Sequence, residues 1–188
     1  MSSATDGLTI ARARIAKEME KRTGVLDLGD LGLTEWPNEL WHADHLTTLN
    51  LGVGWTDERN GFNFAASGIA YAPNLLPSEP ARACWARLPN LRILSLAGTR
   101  GEGSPWGDLN GLETLTELRV LDLSFTEADD LAPLVHLRHL ELLDASYTFI
   151  SDVAPLSGLT ALRYLDLTHT KVTDLSPLKG HATLRIVR

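Results

Sequence analysis

Three side chains in the C-terminal half have the types needed for a nucleophilic relay: Asp144, Ser146 and His169. Acyl transfer of that kind needs a serine hydroxyl, an imidazole to take its proton and a carboxylate to orient the imidazole. The sequence brings the three onto adjacent strands, yet it supplies nothing to stabilise an oxyanion, and a serine on an open sheet stands in bulk water. No catalytic residue is assigned, and the chain is not expected to be an enzyme. Metal chemistry fares no better. His42, His45, His136, His139 and His181 show no ligand spacing with cysteine or paired carboxylates. The segment DERNGFN from Asp57 looks like a cation loop but lacks the alternating acids and the distal glutamate. Cys84 is the single cysteine, so it forms neither an intrachain disulfide nor a metal cluster. No cofactor or metal is expected.

What remains is recognition. Reading fixed offsets along the chain gives three outward rows. The first, Val25, Thr48, Ile93, Val120, Leu142, Tyr164 and Ile186, is apolar in all but one place. The second, Asp27, Asn50, Ser95, Asp122, Asp144, Asp166 and Arg188, is largely acidic. A third ends in Phe125, Tyr147 and His169. Aromatic anchors on a rigid sheet suit a protein interface, and a carboxylate row selects a basic partner. The competing reading of the acidic row is that Asp is simply a common way to write the pattern, its carboxylate solvated. Trp55 and Trp106 join the candidate partner-binding residues because they lie in insertions, where no repeat position demands them. Both insertions follow the same strand edge, so they are expected to form one lip over the N-terminal half of the groove. Trp36, Trp41 and Trp85 are read as packing.

The element that must position these rows is a repeat. The pattern L-x-x-L-D-x-x-x-T starts at Leu118, Leu140 and Leu162, each 22 residues after the last. A fixed period of this length marks a solenoid. Within each unit the chain alternates across a short strand, so Leu121 and Leu123 point inward while Val120, Asp122 and Ser124 point out. Thr126, Thr148 and Thr170 stand where the chain leaves the strand, and their hydroxyls can satisfy backbone groups of the turn. Asp130, Asp152 and Asp174 can cap the short helical turns that follow, and the prolines three residues on keep those turns short.

Earlier in the chain the same spacing runs from Gly24 to Trp41, with Leu31 where Asn or Thr is expected. It opens again at Leu46, is interrupted at about 52–73, and returns at Leu91 with a smaller interruption at about 100–107. Residues 1–23 are expected to be a tail and an amphipathic helix from Thr9 to about Arg22, its stripe formed by Leu8, Ala11, Ile15 and Met19. That helix would cover the open end of the first coil. Residues 24–188 are expected to form the solenoid; the last repeat, from Leu184, is incomplete, and the strand edge this would expose suits either a homodimer through the C-terminal edge or continuation in a longer protein. The chain has 17 Lys+Arg against 24 Asp+Glu, a net charge of −7, which argues against nucleic-acid and membrane partners. No stretch has the length and apolarity of a signal peptide or a membrane span.

Taken together, the L-x-x-L-x-L-x-x-T/N-x-L repeats resemble leucine-rich-repeat proteins, and the Asp-Leu/Val-x-Pro-Leu stretches at 130–134, 152–156 and 174–178 resemble the 22-residue class of internalins. The opening ARARIAKEMEKRTGVLDLGDLGLTEWP resembles the start of bacterial cytosolic members, including those fused to Roc-COR GTPase domains. The resemblance implies an α/β solenoid, a horseshoe with a parallel concave sheet and an N-terminal capping helix. It is compatible with a cytoplasmic, noncatalytic module that binds a protein partner on its concave face, and a basic partner is what the acidic row, not the resemblance, would select. The alternative it carries is a regulatory or sensor fragment of a larger protein such as a Roc-COR-type GTPase. This chain has no G-x-x-x-x-G-K-[ST] loop, so no GTPase activity is transferred to it.

Overall fold

The computed structural model describes residues 6–53, 56–57, 62–63, 73–98 and 107–188. The first helix, α1 (Gly7–Lys21), starts two residues before the expected Thr9 because the Asp6 carboxylate accepts a hydrogen bond from the Thr9 backbone N–H at 2.7 Å. It ends where Arg22 turns left-handed at φ 48° and its N–H reaches the Glu18 carbonyl. Ala11 and Ile15 are buried, and Leu8 and Met19 pack partly against the core, so the apolar stripe lies where the end of the first coil needs it.

Glu18 lies on that buried side as well, which an amphipathic pattern does not foresee. Its carboxylate accepts from the Gly24 N–H (2.6 Å) and the Thr23 hydroxyl (2.5 Å), and meets His45 Nε2 at 3.0 Å. Burial alone would push the Glu18 carboxyl up, but these hydrogen bonds outweigh it and hold it below the ordinary glutamate range. One side chain thereby ties α1 to the first and second coils.

Among the described residues the coils contribute seven strands to one parallel sheet: β1 (Val25–Asp27), β2 (Thr48–Asn50), β5 (Ile93–Ser95), β6 (Val120–Asp122), β7 (Leu142–Asp144), β8 (Tyr164–Asp166) and β9 (Arg185–Val187). A separate antiparallel pair, β3 (Thr56–Asp57) with β4 (Phe62–Asn63), lies in the first insertion. Short helical turns at Asn38–His42, Trp85–Arg87, Leu112–Thr114, Ala132–Leu134, Ala154–Gly158 and Ser176–Leu178 form the other wall, with α2 (Ser78–Cys84) leading into the second of them. The core fills the space between. Its central column runs Leu26, Leu49, Leu94, Leu121, Leu143 and Leu165 in strand register, and all six are buried.

The last coil breaks the expected register. Tyr164 pairs with Arg185 and Leu165 with Ile186, so Ile186 joins the core column rather than the outward row. Val187, not Arg188, stands beside Asp166. The step from Tyr164 is one residue shorter than 22, and the shift turns Ile186 toward apolar neighbours instead of water. Arg188 instead reaches back to the Val172 carbonyl at 3.0 Å.

Threonine and aspartate do what their positions suggested. Thr126, Thr148 and Thr170 hydroxyls donate to the carbonyls of Leu123, Ala145 and Leu167 at 2.6, 2.6 and 2.8 Å. Asp130, Asp152 and Asp174 accept from the N–H groups of Ala132, Ala154 and Ser176, and the last of these bonds helps hold the Asp174 carboxyl low. In the first coil, where Leu31 replaces the polar residue, Asn74 supplies the missing partner from the second. Its amide donates to the carbonyls of Leu28 (2.8 Å) and Leu51 (2.7 Å) and accepts from the Leu33 N–H (2.9 Å). Trp36, Trp41 and Trp85 are buried against one another with ring centroids 5.0 to 5.9 Å apart, which makes them packing residues.

Candidate partner-binding face

The side of the sheet turned away from the core carries the outward rows. Strand pairing places Thr48, Ile93, Val120, Leu142, Tyr164 and Arg185 side by side. Val120 and Tyr164 are half-buried and Leu142 is nearly covered, so this apolar strip is closely packed rather than fully open to water. Arg185 brings its guanidinium 5.9 Å from the Tyr164 ring, a cation–π contact at the end of the strip.

The acidic row is corrected by the structure. Asp122 is completely buried and Asp166 nearly so, while Asp144 is half-buried. Each turns its Oδ1 onto the backbone two residues ahead. Asp122 accepts from Ser124 N–H, Asp144 from Ser146 N–H and Asp166 from Thr168 N–H, all at 2.9 Å. Asp27 and Asn50 do the same for Gly29 and Gly52. These side chains fasten the exit from each strand, which is why the position recurs. A solvated carboxylate rail that would select a basic partner is therefore absent from this row. The relay of Asp144, Ser146 and His169 is also dispersed. Ser146 donates its hydroxyl to Asp144 at 2.6 Å, and His169 lies over Tyr147 instead.

The aromatic row is the most distinctive part of the face. Phe125 and Tyr147 stack with centroids 4.2 Å apart and planes 9° from parallel, and His169 continues the column 4.4 Å beyond Tyr147. All three adopt left-handed backbone, with φ of 58°, 56° and 55°. Asp30 in the first coil and Gly98 one coil before Phe125 occupy the same place at φ 54° and 68°, so a left-handed residue belongs to the strand exit of this repeat and is filled here by bulky rings. Left-handed backbone is costly for a bulky side chain, and residues held that way cluster where function requires a set geometry. Phe125 and His169 are exposed and Tyr147 is half-buried, so the column is open along its flank. The predicted contributors Trp55 and Trp106, and the lip they were to form, lie outside the described residues.

One row escaped the sequence reading. The residue just before β2, β5, β6, β7 and β8 runs Thr47, Arg92, Arg119, Glu141 and Arg163, joined through the backbone bonds that carry the sheet from coil to coil. The same offset method applied one place earlier in the repeat would have found it.

Residues 138–180 match the family model described as leucine-rich repeats (2 copies). The crystal structure of internalin C2 from Listeria monocytogenes aligns over 100% of this chain and 99% of its own, with 21% identity and a TM-score of 0.49. That of internalin F from the same organism aligns over 95% of this chain and 63% of its own, with 20% identity and a TM-score of 0.47. No curated protein sequence matches. Two coils bear the leucine-rich-repeat signature outright, and the strand register extends the same unit from β1 to β9: the fold is a leucine-rich-repeat solenoid. Among the described residues no helix is long and apolar enough to cross a membrane.

Proposed function

We propose that the protein is a noncatalytic interaction module that docks a protein partner on the concave face of its sheet, in the cytoplasm. Leucine-rich-repeat solenoids suit protein interaction because a row of short strands presents side chains at fixed spacing on a surface that folding has already made rigid. The observation that carries the reading is the aromatic column. Three consecutive coils keep Phe125, Tyr147 and His169 in left-handed backbone, stacked on one another and open at the flank. The same coils carry the apolar strip of Val120, Leu142 and Tyr164, separated from the column by the row of Asp122, Asp144 and Asp166. Large aromatic groups on a preformed surface are the residues that dominate interface energetics.

The test is affinity capture from the native cell, with wild type beside Phe125→Ala/Tyr147→Ala/Tyr164→Ala and circular dichroism to verify that both are folded. Loss of a partner from the folded variant supports the reading. Retention of the same partners at the same yield places binding elsewhere on the solenoid.

A further inference from the structure

We infer that the partner segment seated on this face is apolar and acidic, and that Arg92 and Arg163 are the residues that select its carboxylates. The inference rests on the docking face proposed above and assigns its charge preference.

Charge is distributed unevenly on the molecule. The sequence is acidic overall, with a net charge of −7. Yet the carboxylates on the sheet face, Asp122, Asp144 and Asp166, are turned onto backbone N–H groups, and two of the three are buried. The exposed carboxylates of this half among the described residues, Asp108, Glu113, Asp129, Asp130, Asp152 and Asp174, all lie outside the strands. What the strand margin exposes is guanidinium. Arg92, Arg119 and Arg163 are all exposed and lie in one column with Glu141. Arg119 is occupied by Glu141 at 2.5 Å. Among the described residues the Arg163 guanidinium makes a 3.3 Å hydrogen bond to the Thr183 hydroxyl and no ion pair, and Arg92 makes no ion pair. Arg185, exposed over Tyr164, adds a fourth cation at the end of the strip.

The geometry sets the form of the partner. Arg92 and Arg163 flank Ile93 and Tyr164, at the two ends of the strip Ile93, Val120, Leu142 and Tyr164. The two arginines are three strands apart, roughly 14 Å at the spacing of neighbouring strands. An extended segment crossing the strands covers that distance in about four or five residues. Leucine- or aromatic-rich chain with carboxylates at its two ends therefore fits, since guanidinium pairs with carboxylate in a bidentate fork. A lysine- or arginine-rich segment would meet like charge along the same margin.

A display library of random 12-residue peptides, selected on the immobilised full chain and sequenced, tests this directly. The expected pool is enriched in Asp and Glu over Lys and Arg, together with apolar residues. The most enriched peptide should bind Arg92→Glu/Arg163→Glu about tenfold or more weakly than wild type, while Arg138→Glu, an exposed charge change on an outer segment, leaves it unchanged. A basic or charge-neutral pool, no enrichment over bare support, or equal loss with Arg138→Glu overturns the inference. The two layers separate in Phe125→Gly/Tyr147→Gly. A pool that depends on the aromatic pair but is not acidic leaves the docking face standing and removes only the charge assignment. An acidic pool indifferent to both double variants removes both.

Discussion

Replacing Phe125 by glycine is expected to be less harmful than replacing it by alanine, the reverse of the order found in ordinary strands and helices. Phe125 sits at φ 58°, where a residue with a Cβ is disfavoured by about 1–2 kcal/mol. Both substitutions remove the stack on Tyr147, which is worth about 0.5–1.5 kcal/mol beyond burial. Because Phe125 is 43% exposed, neither forfeits the full burial of a ring. Alanine keeps the left-handed penalty. Glycine removes it, at the cost of about 0.4–1 kcal/mol from the freer unfolded chain. The difference is about 1 kcal/mol in favour of glycine, which for a chain of this size is about 2–4 °C in Tm. Phe125→Gly should fall close to wild type, and Phe125→Ala about 1 kcal/mol below it. Urea unfolding of both, with Val120→Gly and Val120→Ala as the pair on an ordinary strand in β6, gives the comparison. At Val120 glycine should be the worse of the two. If glycine is no better than alanine at Phe125, backbone strain does not govern that position, and the main argument for a functional aromatic column falls with it.

Three other outcomes are expected. Glu18→Ala leaves the Gly24 N–H, the Thr23 hydroxyl and His45 without their shared acceptor and should lower stability by about 2 kcal/mol. The Glu18 carboxyl is held low in the folded chain, so its contribution is complete above the unfolded value and fades as pH falls through the folded one; amide exchange in α1 should rise on acidification below the ordinary glutamate range, and this component should vanish in the variant. Asn74→Leu strands the carbonyls of Leu28 and Leu51 and the N–H of Leu33 in the interior, which should cost about 3 kcal/mol or more by denaturant titration. Thr148→Val keeps the shape but removes the donor to the Ala145 carbonyl, for a loss of about 1–3 kcal/mol by the same measurement.

What could be read from sequence was what the repeat writes many times. Leu121, Leu143 and Leu165 recur at one spacing, so their burial needed no structure. The Thr and Asp positions of the turns followed because each side chain has one local backbone partner available. Features written once were harder. Leu184, Ile186 and Val187 suit either of two registers, and only pairing against β8 decides between them. Alternation correctly turned Asp122 outward from the leucine core, but it does not report that the side chain bends back to its own turn and is covered there. Periodicity is equally blind to φ, so the aromatic row was visible while its strain was not. Glu18 and Asn74 are single polar residues serving contacts far along the chain, and no pattern announces them.

Asn74 also bears on how the first insertion is tolerated. On one side of it the Val53 N–H is bound to the Ala97 carbonyl at 2.8 Å; on the other, Asn74 is fixed by three bonds to the first two coils. The two ends are thus anchored independently of whatever sequence runs between them. Lengthening a closed loop adds little entropic cost, about 0.6 kcal/mol for each doubling. The solenoid therefore offers a socket at this point, in which foreign peptide or a whole small domain could be mounted while the coils on either side stay in step.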